Sequence, residues 1–410
     1  MSHARERQIK LKHGVNQFVQ KQNNLSLILH YLVRNRSCTR VWLAKKTGLT
    51  QASVGKHIAQ LLEWGMVSEE EGIATEKGRR PRRLELQGAK YRSISIRVNR
   101  DYIACALFDM SGRQYDYRWI PVKAVEGVDA AMARMLDTVN GMIHASDVKP
   151  ICIGVAVAGP YNKRTGRIVL MSGFPGWEKV DLKAELEQAF SIDTFVEHDA
   201  VCGAMAETWF GSSGFHDNLI FIAADKGIGA GMVINGSIYE GRDGFAGEFG
   251  HSSINVFGPK CECGNLGCLE LYGTLKAMLN DYRDVIGNPL NSGLEPEEIT
   301  EEYFIEKVKG KDPTALDVYK KTVSYLGFGV VGLVNTMSPD AVVFGDKIIF
   351  ERDLFLDTVT QVLKRYLVDE IFRGLEIRAA SPDMDSILAG ASVIAFDRLL
   401  QNPSASFTVG

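Results

Sequence analysis

The stretch that decides the fold reads Gly241-Arg-Asp-Gly-Phe-Ala-Gly-Glu-Phe-Gly-His251, followed by Cys261-Glu-Cys-Gly-Asn-Leu-Gly-Cys268-Leu-Glu270. The imidazole of His251 and the thiolates of Cys261, Cys263 and Cys268 form a four-ligand set that short glycine-rich turns allow to converge. Because this set has no open coordination position, it predicts a structural Zn²⁺ site; buried free thiols are the alternative. Three cysteines within eight residues, out of seven in the chain, favour a metal site in a reducing compartment over disulfides.

On both sides of this stretch, β-rich runs alternate with helical patterns, which indicates an α/β fold. Ser93–Ile96 and Ile103–Phe108 predict two strands of a meander, and Thr194–Asp199 predicts a short strand that ends in an acid. Farther along, Ala315–Met337 is rich in Val and Leu and predicts a long buried helix.

The N-terminal part of the chain carries a different charge from the rest. Residues 1–90 contain 17 Lys/Arg and 7 Asp/Glu, a net charge of +10, whereas residues 91–410 have a net charge of −13. A basic module on an acidic body predicts that only the first module binds a polyanion; a basic face exposed to solvent without a partner is the alternative.

Within this basic part, Thr39–Gly65 has the pattern of a helix-turn-helix. Thr39 and Thr50 predict the N-caps of two helices, and Gly48 predicts the left-handed residue that ends the first helix. The second helix should present small and polar side chains to the major groove of DNA. The side chains that we predict to contact DNA from this helix are Gln51, Ser53, Lys56 and His57.

A small β-hairpin should follow the two helices. Met66–Ser68 and Arg82–Leu86 predict its strands, and the run Gly78–Arg83 lies between and within them. Arginines flanked by Gly and Pro can lie extended in a minor groove, so Arg79 and Arg80 are further predicted DNA contacts. Residues 1–88 are therefore predicted to form a winged helix-turn-helix domain that binds double-stranded operator DNA.

The central motifs resemble the ROK family, which comprises bacterial sugar kinases and sugar-responsive repressors. The resemblance rests on Glu248, His251, the Cys261–Glu270 segment and Glu197–Asp199, and it extends from about Tyr91 to the segment at 388–392. Because of the N-terminal helix-turn-helix, the whole chain resembles the repressor branch, such as regulators of xylose, glucose or N-acetylglucosamine genes.

This resemblance implies a fold and a domain division. The expected architecture is a two-lobed actin/hexokinase-like, or ribonuclease H-like, sugar-kinase fold of the α/β class. Residues 89–198 plus 387–410 should form the first lobe. Residues 199–386 should form the second lobe, with the zinc site and an oligomerisation surface, so a homodimer or a higher oligomer is expected.

The resemblance also implies a sugar site for an inducer that is a sugar or a sugar phosphate. Its expected residues are Asp199, Glu248, His251 and Glu270. His251 would serve both sites, with one ring nitrogen on zinc and the other toward the sugar. Gly173 and His198 stand where kinases of this family have asparagines, so the identity of the sugar is left open.

The phosphate-binding loops of the kinases are altered at three places. Their Asp-x-Gly-Gly-Thr loop falls on Arg97–Asp101, their Gly-Thr-Gly on Asp225–Gly227, and a nucleotide-side Gly-Gly on Gly345–Asp346. Bulky and acidic side chains at these positions would block or repel phosphates, so we predict no kinase activity. An active ATP-dependent sugar kinase is one alternative. The other is a repressor controlled by sequestration on a protein partner such as a sugar transporter, against which the intact Glu248 argues.

The sequence contains no run of about 18 apolar residues that would span a membrane, and its charged N-terminus does not resemble a signal peptide. A cytoplasmic location is the expectation.

Overall fold

The computed structural model describes residues 17–70, 82–211, 216–286, 298–381 and 384–407, and its N-terminal helices are consistent with the predicted helix-turn-helix. The elements of this region are α1 (Gln17–Asn35), β1 (Ser37–Cys38), α2 (Arg40–Thr47), α3 (Gln51–Glu63), β2 (Val67–Glu70) and β3 (Arg83–Leu86). The hydroxyl of Thr39 caps α2 by accepting a hydrogen bond from Trp42 N, and that of Thr50 caps α3 by accepting one from Ser53 N, both at 3.2 Å. Gly48 ends α2 with φ +71°, a left-handed conformation that favours glycine.

The predicted hairpin is also present, and it belongs to a three-stranded antiparallel sheet in the order β1-β3-β2. Arg40 of α2 donates to both carboxylate oxygens of Glu69 on β2, from Nε and from a terminal nitrogen, each at 3.0 Å. This bidentate ion pair fixes the hairpin to the helix-turn-helix. Arg79 and Arg80 lie outside the described residues.

Residues Tyr91–Phe396 form the second compact unit and begin with a five-stranded sheet. Its elements are β4 (Arg92–Val98), β5 (Tyr102–Asp109), β6 (Gln114–Pro121), α4 (Gly127–Ala145), β7 (Pro150–Val157), β8 (Tyr161–Asn162), β9 (Arg167–Ile168), α5 (Leu182–Phe190) and β10 (Thr194–His198). The sheet order is β10-β7-β4-β5-β6; β4, β5 and β6 form an antiparallel meander, and β7 and β10 extend it in parallel.

A second five-stranded sheet repeats this topology. The elements around it are α6 (Asp199–Phe210), β11 (Leu219–Ala224), β12 (Ile228–Ile234), β13 (Ser237–Ile238), α7 (Leu275–Ile286), α8 (Glu301–Lys309), α9 (Pro313–Met337), β14 (Ala341–Gly345), α10 (Arg352–Tyr366), α11 (Asp369–Arg373) and β15 (Glu376–Ala379). The order is β13-β12-β11-β14-β15, again a meander followed by two parallel strands. The duplicated sheet is the architecture expected for the two-lobed sugar-kinase fold.

Two glycines, Gly229 and Gly231, lie inside β12. A Cβ on Gly231 would come within 2.0 Å of Ala200 O at the start of α6, and one on Gly229 within 2.7 Å of the His198 ring. The glycines therefore allow α6 and the end of β10 to pack directly against the second sheet.

The long helix α9 confirms the expectation for 315–337 and begins slightly earlier. Asp312 caps it by accepting a hydrogen bond from Ala315 N at 2.9 Å. Pro313 occupies the first turn, where the backbone N–H groups have no partner within the helix, so the N–H that proline lacks is not needed. A Cβ on Gly327 would lie 3.2 Å from Val362, so the glycine lets α10 approach closely.

The last residues group with the N-terminal unit, since the first compact unit comprises residues 1–90 together with Asp397–Gly410. These residues include the end of α12 (Ser386–Leu400) and all of α13 (Pro403–Phe407). Asp397 lies 2.9 Å from His30 Nε2, while Gln22 donates to Ser404 Oγ at 2.6 Å and accepts from Ser404 N at 3.1 Å. The assignment of residues 397–407 to the first lobe is therefore wrong, because their polar partners lie on α1. The other lobe boundaries stay predictions.

Candidate functional sites

The four predicted metal ligands come together. The ligand atoms of His251, Cys261, Cys263 and Cys268 all lie within 4.8 Å of one another. Cys263 Sγ is 3.7 Å from Cys268 Sγ, and Cys261 Sγ is 3.7 Å from His251 Nδ1. Sulfurs bound at about 2.3 Å in a tetrahedron would be separated by about 3.8 Å, so the donor types and their spacing fit zinc.

Tight turns bring these ligands together. The chain reverses between Asn255 and Gly267 so closely that a Cβ on Gly267 would lie 1.8 Å from Asn255 O. Gly267 has φ +61°, a conformation that glycine adopts readily. An isolated bridge pairs Ser253 with Cys268, which returns the last thiol to the short helical turn that carries His251.

The four residues predicted to bind a sugar line one cavity. Asp199, Glu248, His251 and Glu270 all face it, together with the Gly159-Pro160 turn after β7. Asp199 stands at the junction of β10 and α6, where its Oδ1 accepts from Ala200 N at 2.6 Å. Glu270 Oε1 lies 3.2 Å from His251 Nδ1 and 2.9 Å from Cys261 Sγ, so the metal-ligand cluster and the cavity share a wall.

Glu248 depends on the glycine before it. Gly247 has φ +96°, and a Cβ there would lie 1.9 Å from Ala230 O of β12. The glycine thus lets this loop press against the sheet and turn the Glu248 side chain into the cavity. Burial raises the pKa of Glu248, and the charges of His198 and His251 oppose that rise.

Other polar residues of the cavity were not predicted as site residues. They include Asn99, Arg100, Ser172, His198 and Asp225. Arg100, His198 and Asp225 are departures from the kinase pattern, so the sequence contained a signal. This signal showed that residues typical of the kinases are absent. It did not show that the side chains in their place line the cavity.

The first altered phosphate loop forms a buried ion-pair network. Arg97 lies 2.5 Å from Asp346 and 3.3 Å from Asp385. Burial lowers the pKa of Arg97, but Asp346 and Asp385 hold it above its usual range. Burial raises the pKa of Asp346 to about 7, against the effect of Arg97. The ion pair between Arg97, on β4, and Asp346, just after β14, therefore joins two of the three altered loops.

The other substitutions in these loops also fill space. Lys226 Nζ lies 2.7 Å from Asp101 Oδ2, which joins the first altered loop to the second. A Cβ on Gly227 would come within 2.5 Å of the Arg100 guanidinium, so Arg100 packs on the second loop. Side chains thus occupy positions where phosphate binding requires glycine backbone.

In the N-terminal unit, α3 presents part of the predicted DNA-contacting surface. Gln51 and Lys56 are exposed and Ser53 is half-buried. His57 is only 5% exposed and belongs to the buried face of α3 with Val54 and Leu61. The prediction that His57 faces outward is wrong, because positions three and four residues apart share one side of a helix.

Similar proteins include both repressors and kinases. The sequence matches the ROK family over residues 93–398. The xylose repressor of Bacillus subtilis (strain 168) is 29% identical over 385 residues, which cover 93% of this chain and 97% of the repressor.

Two solved structures share the fold. The crystal structure of a ROK family transcriptional regulator, a homologue of the E. coli Mlc protein, matches with a TM-score of 0.76 at 24% identity and covers 94% of this chain and 97% of that chain. A ROK family glucokinase from Streptomyces griseus, in complex with glucose and AMPPNP, has a TM-score of 0.68 at 25% identity. It covers 74% of this chain and 99% of the kinase. Among the described residues, no helix has both the length and the apolar character needed to cross a bilayer.

Proposed function

Because the chain belongs to the ROK family, we propose that it is a sugar-responsive transcriptional repressor of carbohydrate uptake or metabolism genes. One observation carries this proposal: the same chain contains the elements of a helix-turn-helix with exposed Gln51 and Lys56 and a cavity lined by the four residues predicted to bind a sugar. The similarity to the B. subtilis xylose repressor, which spans nearly the whole length of both chains, supports it.

The proposed ligand is a sugar held by the acidic side chains of the cavity. The carboxylates of Asp199, Glu248 and Glu270 accept hydrogen bonds from hydroxyl groups, and His251 adds a ring nitrogen. A dense set of acceptors around a small cavity suits a polyol, because each hydroxyl supplies a donor.

We propose that His251, Cys261, Cys263 and Cys268 hold a structural zinc ion. The ion would fix the loop whose two ends carry Glu248 and Glu270 and so support the cavity wall. The closeness of the four donor atoms supports this assignment.

We propose that the chain does not phosphorylate its sugar. The Arg97–Asp346 ion pair and the Arg100 guanidinium occupy the loops that would bind phosphates. A coupled assay with ATP, Mg²⁺ and each of the common sugars should detect no phosphorylation. Turnover comparable to that of a sugar kinase would refute this part of the proposal.

The proposed assembly is a cytoplasmic homodimer, since dimeric helix-turn-helix proteins read two half-sites about one helical turn or a multiple apart. Phe328 on α9 and Tyr366 on α10 support a contact surface, because they are 49% and 48% exposed and their ring centroids are 5.0 Å apart. Phe328→Asp should lower the molar mass measured by light scattering, while an unchanged mass would exclude this surface.

The test of the proposed function measures operator binding with and without sugar. Operator fragments are selected from genomic DNA with the full-length chain, and a thermal-shift screen of common sugars finds the ligand. Saturating sugar should weaken operator binding at least about tenfold at fixed salt, a coupling of ~1.4 kcal/mol. Unchanged affinity would refute the inducer mechanism, and a response that requires a transporter protein would favour sequestration.

A further inference from the structure

Three residues that depart from the kinase pattern have buried polar atoms without a hydrogen-bond partner in the described part of the chain. They are Arg100 at Nε, His198 at Nδ1 and Asp225 at both carboxylate oxygens. All three side chains line the cavity that contains Asp199. Buried polar groups are normally paired, so orphaned groups that face one cavity point to a ligand.

Asp225 is the most unusual of the three. It is 4% exposed, and neither of its carboxylate oxygens receives a hydrogen bond from any described residue. Its backbone is fully used, since Asp225 N donates to Gly227 O and Asp225 O accepts from Leu275 N. The position of the carboxylate is therefore fixed by the turn between β11 and β12, and an orphaned charge there destabilises the free protein.

The charges around Asp225 act on it without direct contact. Asp346 and Glu301 add like charges. Lys347 is attracted to Asp225 more strongly than to any other acid, but its ammonium group lies within 4.0 Å of Asp101 and Glu301 and forms no ion pair with Asp225 among the described residues. Lys226 lies 2.7 Å from Asp101. Lys226 is thus engaged by Asp101, and Lys347 attracts Asp225 without donating a hydrogen bond to it.

Arg100 does not make this side of the cavity cationic. Its guanidinium packs on Gly227, and its charge acts on Glu270 across the cavity. Arg100 lines the cavity together with three aspartates, Asp199, Asp225 and Asp346. Asp346 is already paired with Arg97. A phosphate dianion beside Asp199 would meet a net negative surface, whereas a hydroxyl can donate to Asp225 and accept from Arg100.

We infer that the altered phosphate loops form part of the effector site, in which Asp225 and Arg100 bind hydroxyl groups of an unphosphorylated sugar and Asp225 excludes sugar phosphates. This inference rests on the proposed function and narrows its ligand class from sugar or sugar phosphate to neutral sugar. Asp225 is thus a specificity-determining residue.

The first measurement needs no ligand. Thermal unfolding of the full-length zinc-loaded chain is compared among wild type, Asp225→Asn and Asp137→Asn. Asp137 is exposed on α4, so its replacement controls for the loss of one carboxylate. Removing an orphaned buried charge should raise the Tm by about 2 °C or more, while the control stays within about 1 °C. A lower Tm for Asp225→Asn would mean that the fold itself needs this carboxylate and would overturn the inference.

The second measurement compares ligands on the same three proteins and on Arg100→Ala. D-xylose, D-glucose and D-glucose 6-phosphate are titrated by calorimetry at fixed ionic strength. Wild type should bind the better neutral sugar at least about tenfold more tightly than the phosphate, and Asp225→Asn should reduce this ratio about tenfold by binding the phosphate better. Arg100→Ala should weaken the neutral sugar severalfold.

The outcomes separate the two claims. Equal or tighter binding of glucose 6-phosphate by wild type overturns the inference and leaves the sugar-responsive repressor intact. An unchanged ratio in Asp225→Asn also overturns the inference. If no sugar in a wide screen binds, the proposed function fails, and the ligand-free comparison still decides whether Asp225 is held for a ligand or for the fold.

Discussion

The guanidinium of Arg97 lies 2.5 Å from the carboxylate of Asp346, and each side chain is only 5% exposed. Asp385 adds a second carboxylate at 3.3 Å from the same guanidinium. The ion pair joins β4 of the first sheet to the end of β14 of the second, at the positions of two altered phosphate loops. The side chains at these positions thus connect the two sheets.

Replacing Arg97 should destabilise the sensor. Arg97→Ala leaves the buried Asp346 without its cation, which typically costs about 3–5 kcal/mol of unfolding free energy. Denaturant titration measures the change. Arg134→Ala is the control, because the Arg134–Glu126 pair is about 40% exposed and should contribute less than about 1 kcal/mol. Equal effects of the two variants would contradict this role for Arg97.

Removing one thiolate should release the metal. Cys261→Ser should lower the zinc content from about one ion per chain toward zero and reduce the Tm by about 5 °C or more, because a three-ligand site binds more weakly and the loop loses its constraint. Elemental analysis and thermal unfolding provide the readouts. Cys38→Ala removes a buried thiol outside the cluster and should keep its zinc. Zinc-free wild-type protein purified without chelators would refute the ligand set.

Asp199→Asn should abolish the sugar response and spare DNA binding. The amide cannot accept as the carboxylate does, so the shift in Tm on adding sugar should disappear. Operator affinity without sugar should stay within about twofold of wild type, since Asp199 lies in the second compact unit. Asp137→Asn should retain both properties. A full sugar response in Asp199→Asn would remove Asp199 from the site.

Lys56→Ala should weaken operator binding about threefold to tenfold and reduce the slope of log K against log salt by about 0.9, as expected for one lost phosphate contact. Fluorescence anisotropy at several salt concentrations measures both quantities. Lys183→Ala, which removes an exposed lysine of α5 in the other unit, should change neither. An unchanged slope in Lys56→Ala would show that Lys56 is not at the DNA surface.

The buried His57 should make the N-terminal unit sensitive to acid. Burial, with the charges of Lys21 and Lys56, lowers the pKa of His57 from 6.5, so the folded state keeps the ring neutral where the unfolded chain protonates it. Stability from this residue is present above pH 6.5 and declines as the pH falls through the lowered pKa. Urea unfolding at pH 7.5 and 5.5 should show a smaller acid loss in His57→Leu than in wild type. An identical loss would contradict the assignment.

Local signals predicted most of the fold. The caps at Thr39 and Thr50, the long helix at 315–337 and the cluster of four possible metal ligands each depend on a short stretch of sequence, so each could be predicted without distant residues. His57 could also have been placed correctly, because it stands three residues after Val54 and four before Leu61. Its polar side chain favours the outer face, but its spacing places it on the buried face.

Other features depend on distant partners and were not accessible from sequence. Nothing near Gly229 or Gly231 in the sequence indicates that α6 will lie against the strand. Arg100 and Asp225 were interpreted only as lost glycines, since the cavity that they share forms when two loops far apart in sequence meet. The partners of residues 397–407 lie on α1 for the same reason.

The hydrogen bonds between Gln22 and Ser404 join positions 382 residues apart and have a consequence for the order of synthesis. On the ribosome, α1 and the helix-turn-helix emerge before the second compact unit, whereas α13, which contacts α1, emerges after it. The DNA-reading unit is therefore finished only after the sensor has been translated. A chain that stops before Pro403 lacks α13 and cannot form these contacts.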